Sequence, residues 1–309
     1  MRTTANVSAW FPGGKRKKLV YKYGPYGFLL PAVIFYSVTV TYPILRGFWL
    51  SLLDWRIFYP KKFIGLANYE KLFFHDETFL PVLMHNLIYV ALTVSIPIIL
   101  GVIMAASLDG LRHRRLADVL RGLYFIPAIL SVIAVGLIWG WFYNPYIGLL
   151  NGALRVVSKA AGQIQWLGSQ HLALYSIIAA RTWMSVGFCM VVFLAGLRGI
   201  SEDYYEAARI DGASGVKAFF TITLPLLRPS FAVLLLVNTV DAFKEFALIY
   251  VMTRGGPAGA SDLISTYMYR VGFSAWKISY AASMGVTLFL IILIVTFFLR
   301  KVAERFDDL

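Results

Sequence analysis

The sequence has little charge and almost no cysteine. Of its 309 residues, 15% are charged, 59% are hydrophobic and one is a cysteine. Charged residues make up about 25% of an ordinary soluble protein, so the composition excludes that class. Cys189 cannot form an intrachain disulfide, and its position in an apolar run indicates a small buried side chain.

The motifs of nucleotide hydrolysis and of common hydrolytic enzymes are also absent. Gly13-Gly14-Lys15 lacks the spaced glycine and the Ser or Thr of a phosphate loop, and there is no H-E-x-x-H, G-x-S-x-G or paired-cysteine motif. The four histidines show no metal-ligand spacing: His75, His85, His113 and His171. We therefore expect no catalytic residue, no metal site and no cofactor bound by this chain.

The sequence instead contains six long apolar runs. Each is near or above the roughly 20 residues that a helix needs to cross the hydrocarbon core. They cover residues 27–51, 83–107, 122–143, 172–196, 230–252 and 281–299. We predict an all-α membrane protein, with a basic cytoplasmic tail over residues 1–26 and six transmembrane helices within residues 27–309.

The distribution of basic residues predicts the orientation of these runs. With a cytoplasmic N-terminus, the inner segments hold 17 Lys and Arg residues and the outer segments hold 9. Basic loops are retained in the cytoplasm, so the bias predicts that both termini are cytoplasmic. The net charge of +13 follows from this pattern. It indicates contact with membrane lipid and no nucleic-acid partner.

Residues 201–225 form a polar segment between the fourth and fifth runs. Ser201 is suited to cap a helix, and Glu202 and Asp203 suit its first turn. Gly212 can adopt the left-handed conformation that ends a helix, and Pro225 is expected to stop a second one. These features predict two short amphipathic helices, which fit a plain surface loop as well as a docking surface.

The same segment carries a known signature. Seven residues match every fixed position of the EAA motif of bacterial ABC-importer permeases, EAA-x3-G-x9-I-x-L-P: Glu206, Ala207, Ala208, Gly212, Ile222, Leu224 and Pro225. The resemblance implies that residues 201–225, hereafter the coupling segment, dock in a cleft of a separate ATP-hydrolysing subunit.

Two further stretches resemble maltose-type carbohydrate permeases. Residues 63–69 resemble the FxGLxNY element that follows the first span, and residues 249–257 resemble the YVLTxGGP run. From about residue 27 onward the chain is similar to that family, which implies the ABC type I importer permease fold. In the family, the second stretch closes the outer gate and meets a binding protein; its candidates here are Thr253, Gly255, Gly256 and Pro257.

The resemblance also implies an assembly. It pairs the chain with a second, related permease subunit and with two ATP-binding subunits that hold ATP and Mg. An extracytoplasmic solute-binding protein would deliver the substrate. The expected location is the cytoplasmic (inner) membrane of a bacterium, as a multi-pass protein.

The fifth run contains an unusual group of polar side chains. Our candidates for the substrate path are Asn238, Asp241, Lys244, Glu245 and Tyr250. Helical spacing predicts an Asp241–Lys244 pair with Asn238 one turn below. Such charges are expensive unless they face protein or water, which leaves three interpretations open: a structural cluster, a path lining or a proton relay. Arg181 has no evident partner and is assigned no role.

These observations predict a subunit of an ATP-driven, binding-protein-dependent carbohydrate importer. Lys244 leaves an acidic sugar open. The main alternative is a self-sufficient, ion-coupled secondary transporter that uses the charges of the fifth run. A membrane-embedded enzyme would need a catalytic constellation that is absent, whereas a regulatory or scaffold subunit could also dock an ATPase.

Overall fold

Helices make up nearly all the regular structure of the computed structural model, which describes residues 15–55, 60–111, 113–157, 163–213 and 215–307. The first 14 residues of the predicted basic tail lie outside these ranges. The α-helices are Lys15–Tyr36, Tyr42–Ser51, Ala67–Phe74, Phe79–Asp109, Arg114–Ile129, Val132–Phe142, Leu149–Val157, Ala173–Leu197, Glu202–Ile210, Val216–Ala218, Leu224–Leu226, Arg228–Phe243, Ala247–Met252, Ile264–Tyr269 and Ile278–Asp307.

Other regular elements are short. Three π-helical turns, in which the backbone hydrogen bonds reach one residue further than in an α-helix, are Ser37–Thr41, Phe219–Thr223 and Arg270–Ser274. Two strands, Leu53–Asp54 and Lys62–Phe63, pair antiparallel, with Leu53 opposite Phe63.

Four helices within the described residues are long and apolar enough to cross a membrane. They are Tyr26–Ser51, Phe79–Asp109, Ala173–Leu197 and Ile278–Val302, which we call the first, second, fourth and sixth spans. Each agrees with its predicted run to within about one helical turn, so these four predictions are confirmed.

The third span, predicted over residues 122–143, is not one straight helix. Arg114–Ile129 and Val132–Phe142 meet at 100°. Leu130 and Ser131 between them have extended backbone, with ψ angles of 147° and 136°, which interrupts the helical hydrogen bonds. A hydropathy pattern records how apolar a run is and carries no signal for such a turn.

The fifth span is also not the continuous helix predicted for residues 230–252. Its main helix, Arg228–Phe243, follows Val216–Leu226 at a bend of 62°. It ends at Phe243, and a short helix resumes over Ala247–Met252. Counting each bent pair as one, the described part of the chain has six segments that are long and apolar enough to cross a membrane, which agrees with the six predicted spans.

The second and fourth spans pack closely at the centre of the bundle. A Cβ atom added to Gly101 would lie 2.6 Å from the Cβ of Cys189, so a glycine is needed for this approach. Met190, which follows Cys189, is fully buried, and so are Tyr89 and Phe193 elsewhere in these two spans. Cys189 is buried and unbridged, which confirms the predicted structural role.

The loop between the first and second spans is closed onto the end of the first span. The Asn68 side-chain amide donates to the carbonyls of Ser51 and Leu53, each at 2.8 Å. The Tyr69 hydroxyl donates to Ser51 Oγ at 2.7 Å. These bonds explain the Asn-Tyr pair at the end of the FxGLxNY element.

Asp76 joins the beginning of the second span to the C-terminal third of the chain. Its Oδ2 accepts hydrogen bonds from the hydroxyls of Tyr267 at 2.7 Å and Tyr280 at 2.6 Å. Its Oδ1 accepts the backbone N–H groups of Thr78 and Phe79. Burial alone would raise the pKa of Asp76, but the hydrogen bonds from Tyr280, Tyr267 and the two amides outweigh it and lower this pKa.

This lowered pKa predicts an acid-sensitive contact. A carboxyl group whose pKa is lower in the folded than in the unfolded protein stabilises the fold at pH values above its unfolded pKa of about 3.9. This contribution is lost as the pH falls through the pKa of the folded state. We expect the Asp76→Asn variant to unfold at a lower temperature than wild type at pH 7 and to approach it near pH 3. Thermal unfolding in detergent across this range is the measurement, and a constant difference between the two proteins would contradict it.

Candidate functional site

The coupling segment begins with the helix Glu202–Ile210. Ser201 caps it as predicted: its side chain accepts the Asp203 backbone N–H at 3.3 Å. Glu202 and Asp203 occupy the first turn and Arg209 the last, which suits the helix dipole at both ends.

The end of this helix is a Schellman motif built around Gly212, which has a φ of +76°. The Gly212 N–H bonds to the Arg209 carbonyl at 3.1 Å, and the Ala213 N–H bonds to the Ala208 carbonyl at 2.7 Å. The predicted left-handed glycine is confirmed. The chain reverses here through backbone bonds alone.

Pro225 does not stop the second helical stretch, so that prediction was wrong. The helical path runs from Val216 to Leu226 and bends only before Arg228. A π-helical turn precedes the proline, and within it the Leu224 N–H bonds to the Phe219 carbonyl five residues earlier. A wider turn relieves the clash between a proline ring and the preceding turn.

The seven EAA residues lie in two different environments. Glu206, Ala207 and Gly212 are exposed, whereas Ala208 is buried and Ile222 is half-buried. Leu224 and Pro225 line an apolar groove of about 650 Å³, together with residues of the second and sixth spans. The motif thus contains an exposed helix and an anchor against the bundle.

A hydrogen bond connects these two parts. The Tyr205 hydroxyl and Thr223 Oγ1 are 3.0 Å apart, so the exposed helix is tied to the stretch that enters the fifth span. Beneath the helix lies a cleft of about 640 Å³ whose lining includes Asp109, at the end of the second span, and Arg209.

Sequence reasoning assigned no role to four exposed apolar residues of the coupling segment. Tyr204, Ile210, Val216 and Phe220 are 56%, 87%, 74% and 60% exposed. The sequence could have indicated them, because large apolar side chains beside a predicted polar turn outside the membrane are typical of a surface that binds a partner.

In the fifth span, the predicted Asp241–Lys244 pair is confirmed. Lys244 Nζ lies 3.6 Å from Asp241 Oδ1, and the two side chains are 58% and 51% exposed. Asn238 is buried, and its amide donates to Cys189 Sγ at 3.5 Å. It therefore contacts the fourth span instead of extending the exposed charged pair.

Glu245 belongs to a different pair, and the prediction of one helical cluster was wrong on this point. The helix ends at Phe243, so Glu245 turns inward and is buried. Its Oε2 lies 3.8 Å from Arg181 Nη1 of the fourth span. Its Oε1 accepts the Leu248 N–H at 3.1 Å, which caps the short helix Ala247–Met252. Arg181 thus has a partner that the sequence did not reveal.

Residues 253–262, hereafter the gate loop, contain the outer-gate candidates. The Thr253 and Ser261 hydroxyls are 2.7 Å apart, and the Gly255 N–H donates to Thr253 Oγ1 at 3.2 Å. Ser261 Oγ donates to the Gly256 carbonyl at 2.6 Å. The Gly256–Pro257 peptide bond is cis. Internal hydrogen bonds therefore hold the loop in a defined shape.

The base of the gate loop is a buried carboxylate. Asp262 forms an ion pair with Arg270 at 2.5 Å and accepts the Thr266 hydroxyl at 2.8 Å. Gly255 lies against it: a Cβ at Gly255 would meet Asp262 Oδ1 at 2.2 Å. The loop can approach this carboxylate only because residue 255 has no side chain.

Replacing Gly255 with alanine is expected to disrupt the gate loop. Gly255 and Gly259 have similar φ angles, +87° and +82°, but nothing lies within 4 Å of a Cβ at Gly259. Gly259→Ala therefore measures backbone strain, about 1 kcal/mol, and Gly255→Ala adds the collision with Asp262. We expect Gly255→Ala to lower the thermal unfolding midpoint clearly more than Gly259→Ala, and equal shifts would contradict this packing.

The described residues contain no group of three or more His, Cys, Asp or Glu side chains that could hold a metal ion. The fold thus presents two groups of polar residues. One is the coupling segment before the fifth span, and the other consists of the ion pairs of the fifth span and the gate loop that follows them.

Comparison with known proteins gives a consistent result. A family model described as "Binding-protein-dependent transport system inner membrane component" matches residues 97–308. The probable ABC transporter permease protein YurN of Bacillus subtilis is 34% identical over 91% of this chain and 95% of its own length. The trehalose/maltose transport system permease protein MalF of Thermococcus litoralis is 34% identical over 93% and 96%. The diacetylchitobiose uptake system permease protein NgcF of Streptomyces coelicolor is 32% identical over 89% and 81%.

Solved structures agree on the fold. A chain of a bacterial alginate ABC transporter, in complex with an alginate pentasaccharide-bound periplasmic protein, superposes with a TM-score of 0.83 at 22% identity, covering 94% of this chain and 96% of that one. A second alginate transporter structure gives 0.81, also at 22% identity. The architecture is that of an ABC type I importer permease.

Proposed function

Because the chain belongs to the family of binding-protein-dependent transport system inner membrane components, we propose that it forms half of the translocation path of an ATP-driven carbohydrate importer. It is a permease subunit and not an enzyme. In this proposal ATP and Mg²⁺ bind two separate ATPase subunits, a second related permease completes the path, and a solute-binding protein delivers the sugar. The chain lies in the cytoplasmic membrane of a bacterium with both termini inside.

The single observation that carries the coupling proposal is the exposed helix Glu202–Ile210. It is capped at both ends by its own residues, so it is preformed, and it presents Glu206, Ala207 and Ile210 outward. Glu206 makes no hydrogen bond or ion pair with any described residue. The helix therefore presents a carboxylate beside exposed apolar side chains, and it is hydrogen-bonded to the stretch that enters the fifth span. Such a surface suits a partner whose movement is transmitted to the membrane helices.

The carbohydrate class is supported by relatives along nearly the whole chain. Those whose names state a substrate include permeases for trehalose and maltose and for diacetylchitobiose. Exposed Asp241 and Lys244 would supply a hydrogen-bond acceptor and donor for sugar hydroxyls. Tyr250 lies in the next short helix, Ala247–Met252. We propose that Thr253, Gly255, Gly256 and Pro257 form the outer gate below the binding protein.

Charge pairing favours an uncharged sugar over an acidic one. Lys244 is paired with Asp241, Arg181 with Glu245 and Arg270 with Asp262. Three cations near the path are therefore balanced by carboxylates, whereas the Arg254 guanidinium lies 5.9 Å from the centre of the Tyr250 ring. The three pairs reduce the positive potential that would attract an anion.

The proposal is tested by purifying the chain with the proteins that co-assemble and reconstituting the complex in vesicles. We expect neutral di- and oligosaccharides, with the binding protein, to stimulate ATP hydrolysis and to be imported without any ion gradient. Uptake that requires an ion gradient and survives Gly212→Val would support a secondary transporter instead. The matched control Gly65→Val changes another left-handed glycine in open space, at φ +58°, and should leave ATP-coupled uptake intact.

A further inference from the structure

The helix Leu149–Val157, which lies between the third and fourth spans, has its apolar face turned outward. At 3.6 residues per turn, Leu149, Ala153, Val156 and Val157 fall within an arc of about 100°. All four are exposed, and the two valines are 88% and 86% exposed. We call these four side chains the outward face. A helix on a water-exposed surface buries its apolar face and presents its polar one. Here the arrangement is reversed, so the outward face requires an apolar neighbour from outside the chain.

The polar side chains of this helix turn toward the protein. The Asn151 amide donates to the carbonyls of Pro145 at 3.1 Å and Ile164 at 2.8 Å. Its Oδ1 accepts the indole N–H of Trp166 at 2.8 Å. Arg155, one turn later, donates to the Pro145 carbonyl at 3.0 Å. These bonds fix the rotation of the helix about its axis, and this rotation directs the outward face away from the rest of the chain.

Further hydrogen bonds hold the helix level with the ends of two spans. Trp166, the partner of Asn151, accepts the Ser176 hydroxyl at its carbonyl at 3.1 Å. The Tyr143 hydroxyl donates to the Ser176 carbonyl at 2.8 Å, and the Tyr143 and Trp166 ring centres are 5.7 Å apart. Tyr143 ends the third-span helix Val132–Phe142, and Ser176 lies in the first turn of the fourth span. The helix therefore cannot extend far from the level at which these spans end.

Exposed aromatic residues lie at the same end of the third span. Trp141, in its last turn, is 75% exposed, and Tyr146, just beyond it, is 79% exposed. Tryptophan and tyrosine are enriched where hydrocarbon meets the lipid headgroups, because their rings are apolar and carry one polar group. An amphipathic helix at this level, with its apolar face outward, has the character of a helix that lies in the membrane interface.

We propose that the helix Leu149–Val157 lies in the plane of the membrane and inserts its outward face among the acyl chains of phospholipids. The leaflet is the outer one, on the side where the distribution of basic residues predicts this segment. Lipid is favoured over a protein partner because the helix is level with the span ends, where the bilayer surrounds the bundle. The contact holds the outer end of the bent third span at a fixed depth, and it does not depend on the transported solute.

The test is spin labelling of the co-purified complex in phosphatidylglycerol and phosphatidylethanolamine vesicles, without binding protein. The native cysteine of this chain is buried, and those of the partner subunits are replaced by serine. A nitroxide is attached to Val156→Cys or to Ala153→Cys, and its collision rates with oxygen and with a water-soluble nickel chelate are measured. The control is Glu70→Cys, at an exposed polar position between the first and second spans.

Oxygen concentrates in hydrocarbon and the chelate stays in water. We therefore expect the ratio of oxygen to nickel collisions at both labelled sites to be at least about threefold higher than at Glu70→Cys, as for side chains about 5–10 Å below the interface. Because both sites are exposed, we also expect both variants to keep the wild-type thermal unfolding midpoint.

Three results would overturn the lipid contact. A ratio equal to that of Glu70→Cys would place the outward face in water. Low collision rates with both reagents would mean that the second permease subunit covers it. A nickel collision rate that is high alone and falls when the binding protein is added would make it a docking site for that protein. Each of these results leaves the proposed import function standing, because none of them measures transport.

Discussion

Ile210→Asp is expected to abolish ATP-driven uptake while leaving the permease folded in the membrane. Ile210 is 87% exposed at the end of the helix Glu202–Ile210, hereafter the proposed coupling helix, so a charge there disturbs no internal contact. If the side chain is buried in an ATPase cleft, the carboxylate must be desolvated without a partner, and loss of an apolar anchor costs about 2 kcal/mol or more. We expect the co-purified ATPase to decrease at least about tenfold.

The matched control for this prediction is Ile147→Asp. Ile147 is 78% exposed but lies between the third and fourth spans, which the distribution of basic residues predicts to be outside. Its substitution therefore makes the same chemical change on the opposite side of the membrane. We expect Ile147→Asp to retain the ATPase at wild-type stoichiometry. Equal retention by the two variants would mean that the coupling helix is not the docking surface.

The second large effect concerns the buried Arg181–Glu245 pair. Glu245→Gln keeps the acceptor for the Leu248 N–H but leaves Arg181, whose side chain is 14% exposed, without a counter-charge, which costs up to about 3–5 kcal/mol. Arg181→Met likewise leaves the buried Glu245 carboxylate without a counter-charge. We expect either single variant to lower the thermal unfolding midpoint and the amount of folded protein strongly.

The double variant Arg181→Met/Glu245→Gln removes both charges and retains the helix cap. Because replacing both members of a buried pair is often neutral, we expect it to recover most of the thermal stability. We further expect transport to stay impaired, since both groups adjoin the candidate path. Additive losses of stability in the double variant would contradict the pairing, and full recovery of transport would restrict the pair to a structural role.

Features fixed by neighbouring residues were predictable from the sequence. The Ser201 cap, the left-handed Gly212 and the Asp241–Lys244 pair each depend on residues within one or two turns of one another. Four straight spans followed from apolar length alone. The EAA signature identified the coupling segment before any geometry was known, although the roles of its residues stay predictions.

Features that depend on distant residues or on backbone breaks were not predictable. Arg181 and Glu245 lie on different spans, and they meet only because the fifth span breaks after Phe243. Asp76 likewise meets Tyr267 and Tyr280 from the other end of the chain. The bend at Leu130 and the continuation of the helix through Pro225 depend on local hydrogen-bond geometry, which apolar periodicity does not encode.

The most direct test of the central claim is site-specific cross-linking of the exposed coupling helix. The single native cysteine is buried, so cysteines introduced at Ala207 and at Leu66, both exposed, report on the two sides of the membrane. We predict that Ala207→Cys cross-links to an ATP-hydrolysing subunit and is shielded from a membrane-impermeant thiol reagent in intact cells, while Leu66→Cys is labelled and forms no such cross-link. Labelling of Ala207→Cys from outside, or its failure to cross-link to any ATPase in the assembled complex, would contradict the account.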